Sequence, residues 1–202
     1  MRAAGCNRLV FSSSGAVYGN ADSKALPEDY PCAPINPYGA SKWMIERVLA
    51  DYRGAYGLGS FALRYFNASG ADPSGDIGEM REVETRLIPR AMMALQGHVP
   101  DFAVFGDDYP TPDGTAIRDY IHVTDLAAAH VLALKLLLGG HTGGALNLGC
   151  RNLGNKAHPG ILANGGDSCH SCGLVRERLG ECHNCSVRSS QLKSEGIVRV
   201  GE

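Results

Sequence analysis

Along the first 149 positions, apolar residues switch between two periods. RLVFSSS (8–14) is a short apolar run ending in small polar residues, which predicts a buried parallel strand. Pro37 can open a helix at its first turn, and Met44, Ile45, Val48, Leu49 and Tyr52 recur at helical spacing until Gly57. SFALRYF (60–66) predicts a second strand, LIPRAMMAL (87–95) a helix, and FAVFG (102–106) and DYIHV (119–123) two short strands. Asp125 is a fitting N-cap for a helix LAAAHVLALKLLL (126–138), and ALNLG (145–149) reads as a further strand. Strand and helix in alternation imply a parallel α/β sheet.

The pattern stops near residue 150. Residues 151–202 contain no Phe, Tyr or Trp, many glycines and no sustained apolar period. A segment so poor in large apolar groups buries little surface, which predicts a poorly ordered, irregular tail (150–202) after one α/β domain (1–149).

Composition narrows the classes. With 202 residues, a net charge of −2 and 44% hydrophobic residues, the chain can bury one sizeable core. That charge balance gives no reason to expect nucleic acid or an anionic membrane as partner. No apolar run approaches the roughly 18 residues of a membrane span, and MRAAGCNRLVF lacks the features of a signal peptide, so the expected location is cytoplasmic. Seven cysteines, an odd number, argue against a disulfide framework. Five of them crowd the end of the chain, and CHSCGLVRERLGECHNC (169–185) has C-x2-C-x9-C-x2-C spacing. Cys169, Cys172, Cys182 and Cys185 could supply four thiolates to zinc, and metal could fold a segment that has no core of its own. Against zinc, the second pair lacks a following glycine, the flanks lack aromatic residues, and sequence read out of frame generates cysteines by chance. A non-enzymatic chain with a zinc-ribbon-like interaction module is therefore an alternative reading, and no metal site is assigned in the α/β domain.

Tyr38 and Lys42 are four apart just after Pro37, so on a helix they lie one above the other. A phenol of ordinary pKa, about 10, is a poor base at neutral pH, and a nearby ammonium favours the phenolate. Such a pair can abstract a proton from a hydroxyl. Taken alone, the same spacing is also that of an exposed surface pair. Ser12, Ser13 and Ser14 end a predicted parallel strand, where α/β folds place ligands, and a hydroxyl there could bind a substrate hydroxyl. Capping of nearby backbone is the competing role for Ser12 and Ser13.

Four segments in order, FSSSGAVYG, NPYGASK, RYFNASGADPSGDIGE and FGDDYPTPDGTAIRDYIHVTDLA, closely resemble the UDP-glucose 4-epimerases of the extended short-chain dehydrogenase/reductase family. The resemblance runs from Met1 to about Gly149. It implies a partial Rossmann-like, doubly wound parallel sheet, bound NAD, a UDP-sugar substrate and a homodimeric family. Another NAD-dependent nucleotide-sugar epimerase or dehydratase is the nearest alternative, but dehydratases typically carry Thr-Asp-Glu where this chain has Ser14-Gly15-Ala16.

Carried onto matching positions, the resemblance makes Tyr38 the catalytic base and Lys42 its pKa-lowering, ribose-binding neighbour. Ser14 is the hydrogen-bonding partner at the reacting sugar hydroxyl. Phe66 packs near the nicotinamide, Asn67 contacts substrate, Ala103, Val104 and Phe105 line the uridine pocket, and Arg118 binds the diphosphate. A guanidinium fork suits phosphate oxygens, although Arg118 could instead pair with a local carboxylate. In the implied mechanism, hydride leaves C4 of UDP-glucose or UDP-galactose for NAD and returns to the opposite face of the 4-keto sugar. The chain departs from the family in three ways. Arg86 stands where relatives usually carry Asn or His. No glycine fingerprint follows a first strand; the near match Gly57-Leu58-Gly59-Ser60-Phe61-Ala62 follows a helix instead. After Gly149 the family's substrate domain does not follow. These departures predict a fragment that neither holds NAD nor epimerises by itself, unless an associating chain supplies the rest of the sheet.

Overall fold

Neighbouring residues at the end of the first strand face two different helices, and the site is built on that alternation. In chain order the elements are β1 (Arg8–Ser12), α1 (Pro37–Tyr56), β2 (Gly59–Arg64), β3 (Asn67–Ser69), α2 (Leu87–Leu95), β4 (Ala103–Val104), β5 (Tyr120–His122), α3 (Val123–Leu138), β6 (Gly143–Asn147) and β7 (Arg199–Val200), with short 3-10 turns at Arg2–Ala4 and Gly15–Tyr18. The structure is a computed structural model that describes residues 1–21, 26–100, 102–111, 114–116, 118–149 and 199–200. The zinc-ribbon cysteines Cys169, Cys172, Cys182 and Cys185, and nearly all of the 150–202 tail, lie outside the described residues.

Every strand pairing is parallel among the described residues. The main sheet has the order β1-β2-β6, with Val10 opposite Phe61 and Ala62 opposite Ala145. Two smaller pairs, β3-β5 and β4-β7, stand beside it. Central β2 is buried at all six residues, as expected of a strand with neighbours on both edges and helices on both faces. Phe61 and Leu63 point into a core with Ile121, Leu126, Ala129, Ala133, Leu137 and Leu148, most of it supplied by α3. The alternate residues Ser60 and Arg64 face α1, through bonds from Arg53 to Ser60 and from Arg64 to Glu46. At the end of β1, Ser12 reaches His130 of α3 while the next residue, Ser13, reaches Glu46 of α1. Side chains of a strand alternate between faces, so α1 and α3 cover opposite sides of one sheet. This is the parallel α/β sheet the pattern implied, doubly wound as the resemblance implied.

Several sequence expectations need correction. β1 ends at Ser12, two residues early, because Ser13 and Ser14 turn into the 3-10 segment. The stretch SFALRYF stops as a strand at Arg64, and FAVFG keeps only two strand residues. Asp125 is not the cap of α3; His122 is, its ring accepting from the Thr124 N–H, and Asp125 lies inside the first turn. Of the apolar stripe of α1, only Leu49 is buried. Met44, Ile45, Val48 and Tyr52 are exposed, whereas Gly39, Glu46 and Leu49 are the buried positions. The helix turns polar side chains inward because the strand residues opposite them, Ser13, Ser60 and Arg64, are polar too.

Asn36 starts α1, its side chain accepting from the Gly39 N–H at 2.8 Å, and Pro37 takes the first position, where no N–H is needed. Gly57 ends it in a left-handed conformation at φ 67°. Among the described residues no helix is long and apolar enough to cross a membrane.

Candidate active site

The carboxyl ends of β1 and β2 bring the predicted groups together. After β1, the Ser14 hydroxyl accepts from the Ala16 N–H at 3.2 Å and starts the 3-10 turn. That bond uses a lone pair of the oxygen and leaves its proton to donate. After β2, the Tyr65 carbonyl accepts from the Gly15 N–H at 3.0 Å, which sets Phe66 beside the same turn. A Cβ placed on Gly15 would fall 2.2 Å from the Phe66 ring, so a side chain there would push the ring from this position. The first turn of α1 presses on the turn from the other side: a Cβ on Gly39 would sit 2.5 Å from the Ala16 carbonyl oxygen. Tyr38 is thereby fixed next to the Ser14–Tyr18 segment.

Lys42 completes the group. Its Nζ donates to the Ser12 carbonyl at 2.9 Å, and lies 5.6 Å from the Tyr38 ring centroid and 5.0 Å from that of Phe11. The Tyr38 ring is 56% exposed and Phe66 49% exposed, so an aromatic pair borders the strand ends on the solvent side. Ser14, in contrast, is buried. The roles considered for the three serines are redistributed: Ser14 caps backbone, Ser13 hydrogen-bonds Glu46 and Ser12 hydrogen-bonds His130.

The remaining predicted residues are arranged less uniformly. Asn67 donates its side-chain N–H to the Asp119 carbonyl at 2.8 Å, tying β3 to the segment before β5. Arg118 is exposed in that segment, and its charge partly offsets the burial that raises the Tyr120 phenol above the usual range. Ala103 is half-buried in β4, whereas Phe105 is 96% exposed. Arg86, the departure from the family pattern, forms an ion pair with Glu79 on the surface. That pair and Arg81 hold the Glu79 carboxyl below the usual range. A groove of about 460 Å³ lined by Leu9, Val48, Tyr52 and Leu58 lies along the far half of α1, away from Tyr38.

What sequence reasoning missed lies directly beneath the site. Glu46 accepts from Ser13 Oγ at 2.5 Å and from Arg64 at 2.6 Å, with both charged side chains almost wholly buried. Arg64 also donates to the Tyr18 hydroxyl at 2.8 Å, and that hydroxyl donates to Asn147 at 2.6 Å. Burial alone would lower the guanidinium pKa, but the hydrogen bonds to Glu46 and Tyr18 and the carboxylate charge push it further up. Burial raises the Tyr18 phenol, with Arg64 opposing it. One signal was available: an arginine inside an apolar strand needs a buried partner.

A dinucleotide fits these residues at one end. Tyr38 and Lys42, with Phe66 beside the Gly15 turn, are the residues that the resemblance assigns to the nicotinamide and its ribose. The pyrophosphate end has no match among the described residues. Gly57-Leu58-Gly59 is the link from α1 to β2, with Leu58 and Gly59 buried, and a Cβ on Gly59 would lie 3.2 Å from the Arg8 side chain. No group of three or more His, Cys, Asp or Glu among the described residues could hold a metal ion.

A tyrosine–lysine helix at the strand ends of a doubly wound parallel sheet defines the class of short-chain dehydrogenases and reductases. Comparison with known proteins then narrows it: residues 1–149 match the model of the NAD dependent epimerase/dehydratase family, and the chain belongs to that family. The UDP-glucose 4-epimerase of Azospirillum brasilense is 56% identical over 147 residues, covering 73% of this chain and 42% of the relative. That of Corynebacterium glutamicum is 55% identical over 135 residues, covering 67% and 40%. Among solved structures, the Brucella ovis UDP-glucose 4-epimerase in complex with NAD superposes with a TM-score of 0.71 at 54% identity, covering 74% of this chain and 46% of that one. The chain thus spans less than half the length of these relatives.

Proposed function

We propose that residues 1–149 carry the proton-transfer centre of a UDP-glucose 4-epimerase, which interconverts UDP-galactose and UDP-glucose through transient oxidation at C4. The observation that supports it is the convergence of Tyr38, Lys42, Ser14 and Phe66 on one strand end. The names of the relatives, which include complexes with NAD and with NAD+ and UDP, point the same way. NAD, when bound, supplies the acceptor and donor of hydride at C4. Tyr38 takes the proton of the 4-hydroxyl and returns it, and Lys42, held by the Ser12 carbonyl, keeps a positive charge beside the phenol. Ser14, with one lone pair committed to the Ala16 N–H, donates its proton to a sugar oxygen. The Asn67 amide, oriented by Asp119, and the exposed Arg118 are assigned to the sugar and diphosphate. Ala103, Val104 and Phe105 are assigned to the uridine.

A second copy of the chain is the proposed protein partner, supported by the exposed Met44, Ile45, Val48, Tyr52 and Tyr56 on α1. A cytoplasmic location goes with this reading. Val48→Glu is expected to shift a dimer to monomer in light scattering, and a monomer before substitution would remove that part of the proposal.

A chimaera tests the chemistry. Residues 1–149 are exchanged for the matching stretch of the Azospirillum brasilense enzyme and UDP-galactose turnover is measured. Retained epimerisation supports the proposal; a folded chimaera that binds NAD and UDP-sugar but does not epimerise overturns it. The 202-residue chain contains no glycine fingerprint, and is expected to retain no nicotinamide on purification and to leave UDP-galactose unchanged.

A further inference from the structure

Glu46 follows Lys42 by four residues and Tyr38 by eight, so all three lie along one side of α1. Two contacts fix this side of the helix against the end of β1. Lys42 donates to the Ser12 carbonyl, and Glu46 accepts from the Ser13 hydroxyl, one residue before Ser14. Glu46 is in turn held by the fork of Arg64, at 3.0 and 3.2 Å from Nε and 2.6 Å from Nη2. The last nitrogen of Arg64 donates to the Tyr18 hydroxyl and to the Glu28 carbonyl. Asn147 closes the network, accepting from Tyr18 and donating to Leu26, while its backbone N–H donates to the Glu28 carboxylate.

An ion pair this deeply buried is a weak source of stability, because desolvation of two charges offsets most of their attraction. Apolar residues of similar volume often match such a pair in stability. The pair does something packing would not: it fixes direction. Apolar contacts allow a helix to slide or rotate by fractions of a turn, whereas a bidentate fork in which all three guanidinium nitrogens donate admits one register. Through Arg64 the same register reaches the other half of the site, since the Arg64 carbonyl accepts from Leu148 and the next carbonyl, of Tyr65, accepts from Gly15.

We infer that Glu46 and Arg64 are positioning residues, which set the register of α1 against β1 and thereby bring Tyr38 and Lys42 to Ser14. The inference rests on the Tyr38–Lys42 assignment for its functional meaning, and its geometry can be tested without turnover. In the 202-residue chain with 15N-labelled lysine, the Lys42 ammonium is identified by its loss in Lys42→Arg, and its proton exchange with water is measured. In Glu46→Met/Arg64→Met, with folding checked by circular dichroism, Lys42 exchange is expected to accelerate about tenfold or more. Ser13→Ala leaves the ion pair intact and cuts only its link to β1, and is expected to accelerate exchange several-fold. In the active chimaera the double substitution is expected to lower kcat by ten- to a hundredfold with KM unchanged. Unchanged Lys42 exchange in Ser13→Ala, or in a folded double variant, overturns the inference. An inactive chimaera with altered Lys42 exchange in the variants would overturn the epimerase reading and leave this one standing.

Discussion

Gly39 has no room for a side chain: a Cβ would meet the Ala16 carbonyl oxygen at 2.5 Å and Pro34 Cβ at 3.1 Å. Alanine would raise helix propensity, but a clash with backbone outweighs that gain. Gly39→Val is expected to cost about 1–3 kcal/mol in denaturant melts and to displace Tyr38. Tyr38→Phe should behave in the opposite way. The ring is 56% exposed, so the melting temperature is expected to hold, while epimerisation by the chimaera drops by about 10²–10⁴ with little change in KM. At this scale the sequence was legible where chemistry repeats at a fixed interval, as with Tyr38 and Lys42. Arg64 inside an apolar strand signals a buried partner, but nothing in a linear pattern says that this partner is a glutamate on a helix eighteen positions away. Ser14 was found for its place, yet its bond to Ala16 depends on where β1 stops.

The helices show how far periodicity reaches. Asn36 and Pro37 mark the start of α1 and Gly57 its end, and these are local features that the residues themselves determine. Asn36→Ala is expected to cost about 0.5–2 kcal/mol by loss of the bond to Gly39, read as a fall in denaturation midpoint. Which side of α1 faces inward is not local. The apolar stripe misled because the sheet surface beneath the helix carries Ser13, Ser60 and Arg64, and polar partners decided the matter. α3 behaves as its pattern implies, since it packs on Phe61 and Leu63. Leu137→Ala, at a position with no exposure, is expected to destabilise by about 2–5 kcal/mol, whereas Val131→Ala, half-exposed on the same helix, should stay within about 0.5 kcal/mol. Its start was misplaced because His122 serves as cap in place of the more usual Asp125.

Across the molecule, the groups raised by burial are all acids that lose a proton at high pH. Cys32, Tyr18 and Tyr120 each have a folded pKa above the ordinary value. Their contribution is fully present below the unfolded values, about 8.5 for a thiol and about 10 for a phenol, and is lost as pH rises through the folded ones. Melting temperature is therefore expected to hold to about pH 8.5 and then fall. Tyr18→Phe should lower it at neutral pH, through lost bonds to Arg64 and Asn147, and blunt the fall above pH 10. The strand order has a different consequence, one of time. β2 pairs with β1 early in the chain, but its other edge waits for β6, where Ser60 meets Gly143. Closing so wide a loop is slow, and a chain emerging from the ribosome reaches Asn147 long after Tyr18, Glu46 and Arg64. Until then Tyr18 lacks its acceptor, and the buried charges stand at an open edge. Asn147 thus acts as the last stitch of the seam, so that residues earlier in the chain acquire their final geometry only when it arrives.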